Sequence, residues 1–278
     1  MTTVAISGAT GGIGRALAKA YAAPGTTLLL AGRRMDVLAE LQATLEKRGA
    51  IVEIDAYDVR DEAATVKWCR KAAALGATRL ILAAGVSASV ELTRNHDDEG
   101  AYYLPEGMDD LKRELGVNAV SNILACNAFV RAVMQSHPEG VAKAHVQVAM
   151  IASLAALTGL PGSPGYSASK AALRIFAEAM RRLMQDKNIG ITVLCPGFIE
   201  SDMSRRYQGA KPWLMTADEG AQKMKWAIEA GRAEYAFPRI LAIGIALLNM
   251  LPRCLQSIFL KGFFFTVEPD RESRTGGR

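Results

Sequence analysis

A tyrosine and a lysine four residues apart are the side chains in this sequence best suited to proton transfer. They are Tyr166 and Lys170, in the segment GYSASK. Residues at i and i+4 share one face of a helix, with Cβ atoms about 6 Å apart, and the preceding Ser163-Pro164 fits a helix cap followed by proline at the first helical position. A neighbouring cation stabilises a phenolate and lowers the pKa of tyrosine, which is about 10 in solution. The pair therefore predicts an acid/base tyrosine with a lowered pKa, although a surface tyrosine and lysine would show the same spacing.

Short apolar runs alternate with longer helical patterns along the first 238 residues, and these elements must position the pair. Strands are predicted at residues 4–7, 26–31, 51–56, 79–84, 146–151, 191–195 and 234–237. Helices are predicted at residues 13–23, 35–48, 62–75, 109–135, 165–186 and 217–231. This alternation is typical of right-handed βαβ units, and the continuous apolar strands indicate a parallel sheet covered on both faces. The prediction is an α/β fold, a doubly wound parallel sheet of about seven strands over residues 1–238, with an extension at 239–278.

The first predicted strand runs directly into a glycine-rich turn, SGATGGIG. Glycines allow the backbone to approach a pyrophosphate, and the N-terminus of the following helix supplies amides and partial positive charge. Strand, turn and helix in this order are the context in which such a turn binds a dinucleotide, as in Rossmann-type domains. The candidate cofactor-binding residues here are Ser7, Gly8, Thr10, Gly12, Ile13 and Gly14.

The end of the second strand distinguishes NAD from NADP. An acidic residue there binds the adenosine ribose, whereas an arginine accommodates a 2′-phosphate. The sequence has Arg33 and Arg34 and no carboxylate before Asp36. We therefore expect Arg33 to bind the 2′-phosphate and Arg34 to stack on adenine, which favours NADP(H) over NAD(H). Two solvated arginines at the start of a helix are the alternative.

With the motifs in this order, residues 1–238 resemble the short-chain dehydrogenase/reductase family. The glycine-rich turn is similar to the family's TGxxxGxG, with Ser7 in the threonine position, and Tyr166 and Lys170 match its YxxxK. The further matches are Asp58-Val59 at the adenine site, Leu82-Ala83-Ala84-Gly85 in place of NNAG, Asn118 in the long fourth helix, Ser153 before the tyrosine, Pro196-Gly197 with Ile199 after the sixth strand, and Ser201 in place of a threonine. Both asparagines of NNAG are absent, so we expect different hydrogen bonding there.

The resemblance implies an oxidoreductase that interconverts a carbonyl and a secondary alcohol. Tyr166 would be the general acid/base, and Lys170 would lower its pKa and hydrogen-bond the nicotinamide ribose. Ser153 would orient the substrate oxygen, and Asn118 would hold a water in a proton relay. The cofactor would also contact Asp58, Val59, Ala84, Gly85, Tyr166, Lys170, Pro196, Gly197, Ile199 and Ser201.

Two other functions stay open at this point. Gly8, Gly11 and Gly14 also satisfy the GxxGxxG of nucleotide-sugar epimerases and dehydratases, but those relatives usually carry a larger C-terminal domain. A non-catalytic dinucleotide-binding scaffold usually lacks the tyrosine, the lysine or the serine, and all three are present.

Two apolar stretches, at residues 240–251 and 254–265, follow the predicted domain. Neither is long enough to cross a bilayer, and Arg239, Arg253 and Lys261 punctuate them as in interfacial helices. A lid over the substrate cleft, packing on the sheet edge or a subunit interface is favoured over peripheral membrane contact through 239–265. The polar residues 268–278 are expected to be disordered. The last strand that completes a tetramer in many relatives is not recognisable, which favours a homodimer through the long fourth and fifth helices.

Composition narrows the partners and the compartment. The net charge of +5 comes from 33 basic and 28 acidic residues, with no basic stripe or module that would indicate a nucleic-acid partner. The four cysteines and three histidines are widely spaced, so neither a metal site nor a disulfide is predicted. No run of 18 apolar residues occurs, so no spanning helix is predicted. The N-terminus enters a strand without a secretion signal, which predicts a cytoplasmic protein.

Three loops are expected to determine the substrate, at residues 86–107, 154–165 and 198–215. The second is apolar and uncharged, and the third carries Met203, Tyr207, Trp213 and Met215. These side chains predict a small hydrophobic carbonyl or alcohol as substrate.

Overall fold

The computed structural model describes residues 2–94, 101–137, 146–260 and 266–267. The end predicted to be disordered, at 268–278, lies outside the described residues, as does the part of the second apolar stretch at 261–265.

The described chain alternates strands and helices nearly as the sequence predicts. The strands are β1 (Thr2–Ser7), β2 (Thr26–Gly32), β3 (Ile51–Ala56), β4 (Arg79–Leu82), β5 (Glu91–Arg94), β6 (Ala101–Leu104), β7 (Val146–Ile151), β8 (Ile189–Pro196), β9 (Tyr207–Gln208), β10 (Glu234–Phe237) and β11 (Thr266–Val267). The α-helices are α1 (Gly12–Tyr21), α2 (Met35–Glu46), α3 (Glu62–Ala74), α4 (Met108–Glu114), α5 (Ser121–Ser136), α6 (Pro164–Met184), α7 (Asp202–Arg206), α8 (Ala217–Glu229), α9 (Arg239–Met250) and α10 (Arg253–Leu260).

Seven strands form one sheet in the order β10-β8-β7-β4-β1-β2-β3. Every neighbouring pair in it is parallel. The chain first builds the sheet outward from β1 through β2 to β3, then returns to the other side of β1 and builds outward again from β4. This reversal defines a doubly wound, Rossmann-type sheet, so the predicted fold and its seven strands are confirmed.

The sheet separates two hydrophobic cores. Successive side chains of β2 point to opposite faces, so Leu29 enters one core and Leu28 and Leu30 enter the other, all fully buried. The helices α3, α5 and α6 cover the first core, and α1, α2 and α8 cover the second. Burial on both faces is the reason that this strand reads as an unbroken apolar run.

Two features of the middle of the chain differ from the sequence expectation. The connection at 86–107 contains an antiparallel hairpin of β5 and β6, which the polar composition did not indicate. The predicted helix at 109–135 is interrupted by a π-helical turn, Leu115–Val120, between α4 and α5. A single π-helical turn leaves the 3.6-residue pattern almost unchanged, so the sequence could not reveal it, and such turns are frequent at functional sites.

One helical stretch, Met108–Ser136, is long and apolar enough to cross a membrane by length and composition alone, although the sequence predicted none. More than half of its most apolar part is buried. Cys126 and Phe129 of α5 are fully buried in the core that α5 shares with α3. This burial is what a core helix shows.

Candidate active site

A cleft opens where the strand order of the sheet reverses. Parallel pairing sets Ser7, at the end of β1, beside Leu82, at the end of β4, and ligands of doubly wound sheets bind at this reversal point. The cleft has a volume of about 2030 Å³. All of the residues predicted to bind the cofactor or to act in catalysis line it, except Ser7 and Asn118, which are buried.

The glycine-rich turn between β1 and α1 forms one wall of the cleft. Gly8 has a φ of +69°, and a Cβ there would lie 2.6 Å from the Ala84 nitrogen, so only glycine fits. α1 starts after Gly11 with no side-chain cap and no acidic residue in its first turn. The first N–H groups of α1 therefore have no partner within the helix. They lie where the glycine-rich turn meets the cleft, and an anion can bind them there.

Three arginines surround the end of the cleft next to β2 and β3. Arg33 is exposed, and Arg34 donates a hydrogen bond of 2.9 Å to the carbonyl of Thr10, which fixes the glycine-rich turn. Arg60, which the sequence reasoning missed, forms an ion pair of 2.7 Å with Asp58. Hydrogen bonds and charge from Arg60, together with the charge of Arg33, hold the pKa of Asp58 below its usual value. Stacking of Arg34 on adenine stays a prediction.

The segment Leu82-Ala83-Ala84-Gly85, which replaces NNAG, is held by an asparagine side chain of α5. Asn122 of α5 donates a hydrogen bond of 3.1 Å to the carbonyl of Ala84. The hydrogen bonding at this place therefore involves a residue far along the chain, as the absence of both local asparagines had led us to expect.

Ser153, Tyr166 and Lys170 meet at the carboxyl ends of β7 and β4. The side chain of Ser153, which follows β7, lies beside Tyr166 and favours its phenolate, which opposes the rise of the Tyr166 pKa. Lys170 is 4% exposed; its Nζ donates a hydrogen bond of 2.9 Å to the carbonyl of Ile151 and lies 5.6 Å from the centre of the Tyr166 ring. Pro164 stands at the start of α6, so the predicted helix start and the shared face of the two side chains agree with the structure. Ser163 makes no capping hydrogen bond, however, because its Oγ donates to the Ala88 carbonyl at 2.6 Å instead.

Asn118 lies in the π-helical turn and joins three elements. Its Oδ1 accepts a hydrogen bond of 2.8 Å from the Val86 nitrogen, and its Nδ2 donates to the Val86 carbonyl at 2.9 Å and to Ser169 Oγ at 3.0 Å. Both amide protons of the side chain are therefore used to hold the loop after β4 against α6. The predicted role of Asn118 in a water relay stays a prediction.

In the protein without dinucleotide the pKa of Tyr166 is raised rather than lowered, and the lowering expected from Lys170, oxidised nicotinamide and the helix dipole together stays a prediction. Burial disfavours the phenolate and raises the pKa of Tyr166 to about 12; the side chain of Ser153 opposes this rise and the charge of Glu114 adds to it. Burial also lowers the pKa of Lys170 to about 8, because it disfavours the ammonium form. Spacing on a helix indicates which groups meet, whereas the sign of a pKa shift depends on how much of each group loses contact with water.

The opposite side of the cleft is mostly apolar. Met203 and Tyr207 line it, but Trp213 and Met215 of the same loop do not. Trp213 is 54% exposed, and Met215 packs against the core beside α8 instead. The prediction that all four side chains face the substrate is therefore wrong for two of them, because the loop turns away from the cleft after Pro212.

The first apolar stretch after the sheet forms a wall of the cleft. α9 faces the cleft with Leu241, Ile245 and Leu248. Asn249 of α9 donates a hydrogen bond of 2.7 Å to the carbonyl of Leu157 in the loop after β7. Further along, β11 pairs with β9, and the Val267 nitrogen donates to Ser89 Oγ at 2.7 Å. The described chain after β10 thus lines part of the cleft and is tied to the loop after β7 and to Ser89.

A doubly wound sheet whose glycine-rich first turn faces a serine, a tyrosine and a lysine across one cleft defines a dinucleotide-dependent oxidoreductase. A family model described as short chain dehydrogenase matches residues 2–211. The chain therefore belongs to the short-chain dehydrogenase family, whose members bind NAD or NADP, and the resemblance found in the sequence motifs is confirmed.

Individual relatives agree with this assignment. The chain is 30% identical over 255 residues to an uncharacterized oxidoreductase of Myxococcus xanthus (strain DK1622), covering 91% of this chain and 94% of that one. It is 26% identical to 3-oxoacyl-[acyl-carrier-protein] reductase of Mus musculus, over 72% of this chain and 77% of that one. The crystal structure of a variant of actinorhodin polyketide ketoreductase with NADPH is similar with a TM-score of 0.70, at 17% identity, over 84% of this chain and 94% of that one. At this identity the likeness concerns the fold.

Proposed function

We propose that the protein uses NADPH to reduce the carbonyl of a small hydrophobic molecule to a secondary alcohol, and that the same site runs the reverse oxidation. The observation that carries this proposal is that Ser153, Tyr166 and Lys170 line one cleft together and face an apolar wall across it. A proton donor beside apolar surface suits a carbonyl whose remaining atoms are hydrophobic.

The residues of the cleft fit a dinucleotide with a 2′-phosphate. Gly8, Gly11 and Gly12 line the cleft with backbone that carries no side chain, as a turn that binds a pyrophosphate requires. Arg33 and Arg60 supply positive charge at the far end, and Asp58, the carboxylate nearest to them along the cleft, is engaged by Arg60. This arrangement supports NADPH over NADH, and the actinorhodin ketoreductase carries NADPH on the same fold.

The protein's own groups then perform the proton chemistry. NADPH, when bound, supplies the hydride for the carbonyl carbon. Tyr166, whose raised pKa keeps the hydroxyl protonated at neutral pH, donates its proton to the oxygen as negative charge develops there. Ser153 hydrogen-bonds the same oxygen and orients it. The Lys170 ammonium group donates a hydrogen bond to the Ile151 carbonyl, which keeps its positive charge close to the tyrosine ring. That charge favours the phenolate that remains after the transfer.

The test is direct titration of the purified protein with NADPH and with NADH, for the wild type and for Arg33→Ala. A charge-assisted hydrogen bond to phosphate is worth about 1.5–3 kcal/mol, so the variant should bind NADPH about 10-fold to 100-fold more weakly and NADH unchanged. Arg70→Ala is the matched control, because Arg70 is an exposed arginine of α3 outside the cleft. Equal affinity of the wild type for both dinucleotides would contradict the assignment of Arg33.

Hydrophobic ketones and aldehydes are then screened by loss of NADPH absorbance, with Tyr166→Phe as the inactive form. Turnover that requires Tyr166 would support the proposal. Tight NADPH binding without turnover of any carbonyl would favour a scaffold, and turnover of a nucleotide sugar would favour an epimerase or dehydratase.

We propose in addition that residues 239–278 form an extension to a domain at 1–238, and that the protein is a cytoplasmic homodimer. The outer faces of α6 and of the π-helical turn support the dimer, because Ile175, Leu183 and Val120 are large apolar side chains exposed by 49–67%. Peripheral membrane contact through 239–265 is the weaker proposal, supported by the exposed apolar side of α9. Light scattering after size exclusion measures whether the protein is a dimer, and flotation with vesicles measures whether it contacts membranes.

A further inference from the structure

A buried carboxyl group lies directly behind the first turn of the helix that carries the tyrosine. Glu114, the last residue of α4, is 0% exposed. Its Oε1 accepts a hydrogen bond of 2.6 Å from the Ala88 nitrogen, whereas its Oε2 has no hydrogen-bond partner among the described residues. A fully buried carboxylate oxygen without a partner is costly, because nothing replaces the water that it loses.

A second carboxyl group meets the first at Gly165. Glu106 accepts a hydrogen bond of 2.7 Å from the Gly165 nitrogen through its Oε2. A Cβ on Gly165 would lie 2.6 Å from Glu106 Oε2 and 2.6 Å from Glu114 Oε2. Because Glu106 Oε2 and Glu114 Oε2 each lie 2.6 Å from this same Cβ position, the two oxygens are at most twice 2.6 Å apart. Two carboxylates this near to each other, one of them fully buried, disfavour each other's ionisation, and a proton held by the pair relieves the repulsion.

Several charged and titratable groups surround Glu114, but none of the described cations forms an ion pair with it. These groups are Glu106 from the preceding segment, Asp110 and Arg113 from α4, and Tyr166 and Lys170 from α6. Arg113 forms its ion pair with Asp110, at 2.9 Å. Burial and the charge of Glu106 raise the pKa of Glu114 to about 7, so its ionisation falls near neutral pH. The negative charge of Glu114, when present, raises the pKa of Tyr166 and of Lys170.

We infer that Glu114 and Glu106 form a proton-sharing carboxyl pair behind the first turn of α6, and that Glu114 is a positioning residue which controls how readily Tyr166 gives up its proton. The role in turnover rests on the proposed function, whereas the shared proton does not. The pair holds the turn through the Gly165 N–H. It also places a variable negative charge at the helix N-terminus, where positive potential would otherwise stabilise a phenolate. A side chain at position 165 would have to displace both carboxyl groups and the end of Leu111.

Two measurements that need no substrate test the inference. The first is the infrared band of a protonated carboxylic acid, followed through neutral pH in the wild type and in Glu114→Gln. The second is the absorbance of tyrosinate, taken as the difference between each protein and the same protein carrying Tyr166→Phe, in the free protein and with NADP⁺. Asp110→Asn is the matched control, because it removes an exposed carboxylate from the same helix.

The wild type should show a carboxylic acid band that disappears near neutral pH and is missing in Glu114→Gln. The titration of Tyr166 should move to lower pH by about one unit in Glu114→Gln and by much less in Asp110→Asn. If Glu114→Gln does not fold, Glu106→Gln should move the Tyr166 titration in the same direction. Absence of the band, or equal shifts in Glu114→Gln and Asp110→Asn, would overturn the inference.

If a carbonyl substrate is found, the pH profile of turnover should shift with the absorbance titration. A wild type that shows the band and the shift but turns over no carbonyl would contradict the proposed function only.

Discussion

Replacing Glu114 by glutamine should make the protein relatively more stable at alkaline pH. The substitution keeps the size of the side chain and the acceptor for the Ala88 N–H, and it removes the charge. The folded protein raises the pKa of Glu114 from 4.5 to about 7, so between these values the folded state holds a proton that the unfolded chain has released. Stability is therefore present at acidic pH and is lost as pH rises through this window. At about 1.36 kcal/mol for each pKa unit, the loss amounts to about 3 kcal/mol.

Urea unfolding of the wild type and of Glu114→Gln at about pH 5 and about pH 8 measures this effect. The free energy of unfolding of the variant, minus that of the wild type, should increase by about 2 kcal/mol from about pH 5 to about pH 8. This is less than the full loss, because part of the pH range over which Glu114 destabilises the wild type lies below about pH 5. Taking the difference between two proteins cancels the titration of groups that both contain. Asp110→Asn should show a much smaller change, since its side chain is 47% exposed. A difference for Glu114→Gln that is the same at both pH values would refute the reasoning.

Three further substitutions probe other parts of the cleft. Tyr166→Phe should lower kcat about 100-fold to 10,000-fold, because the proton donor is lost, and leave NADPH affinity within about 2-fold, as steady-state kinetics and dinucleotide titration would show. Gly8→Ala should destabilise the fold by about 1–3 kcal/mol and weaken dinucleotide binding, since its Cβ would meet the Ala84 backbone at 2.6 Å; urea unfolding measures the first effect and NADPH titration the second. Asn249→Leu should raise KM for a hydrophobic carbonyl with little change in NADPH affinity, because α9 loses its hydrogen bond to the Leu157 carbonyl. Unchanged kinetics in Asn249→Leu would mean that this contact does not hold the wall.

The local and periodic features of the fold were readable from the sequence, whereas features that depend on packing were not. The unbroken apolar run of β2 indicated a strand covered on both faces, and Pro164 marked the start of α6. The hairpin of β5 and β6 was missed because its residues carry no alternating apolar pattern. The π-helical turn was missed because it adds one residue without changing the residue types.

The candidate site divides in the same way. The motifs indicated the walls of the cleft, since each belongs to one short segment. No sequence signal could have identified Glu114, which looks like any acidic residue on an amphipathic helix and becomes unusual only when it is fully buried beside α6. The rise of the Tyr166 pKa in the protein alone could not be read from the sequence for the same reason, because it depends on the desolvation produced by several separate segments. Arg60 lay within a recognised motif, and its charge next to Asp58 was the available signal.

The wall that α9 forms has a consequence for how this protein can diversify. The residues that would hold the dinucleotide come from the ends of the sheet strands and from α6, whereas a large part of the apolar wall comes from one short helix after the last strand of the sheet. Replacement or remodelling of that helix can reshape the space for the substrate while the two hydrophobic cores keep their packing. Exchange of α9 between relatives would therefore change the shape of the cleft, and grafting it is a practical way to test how far that helix controls what the cleft accepts.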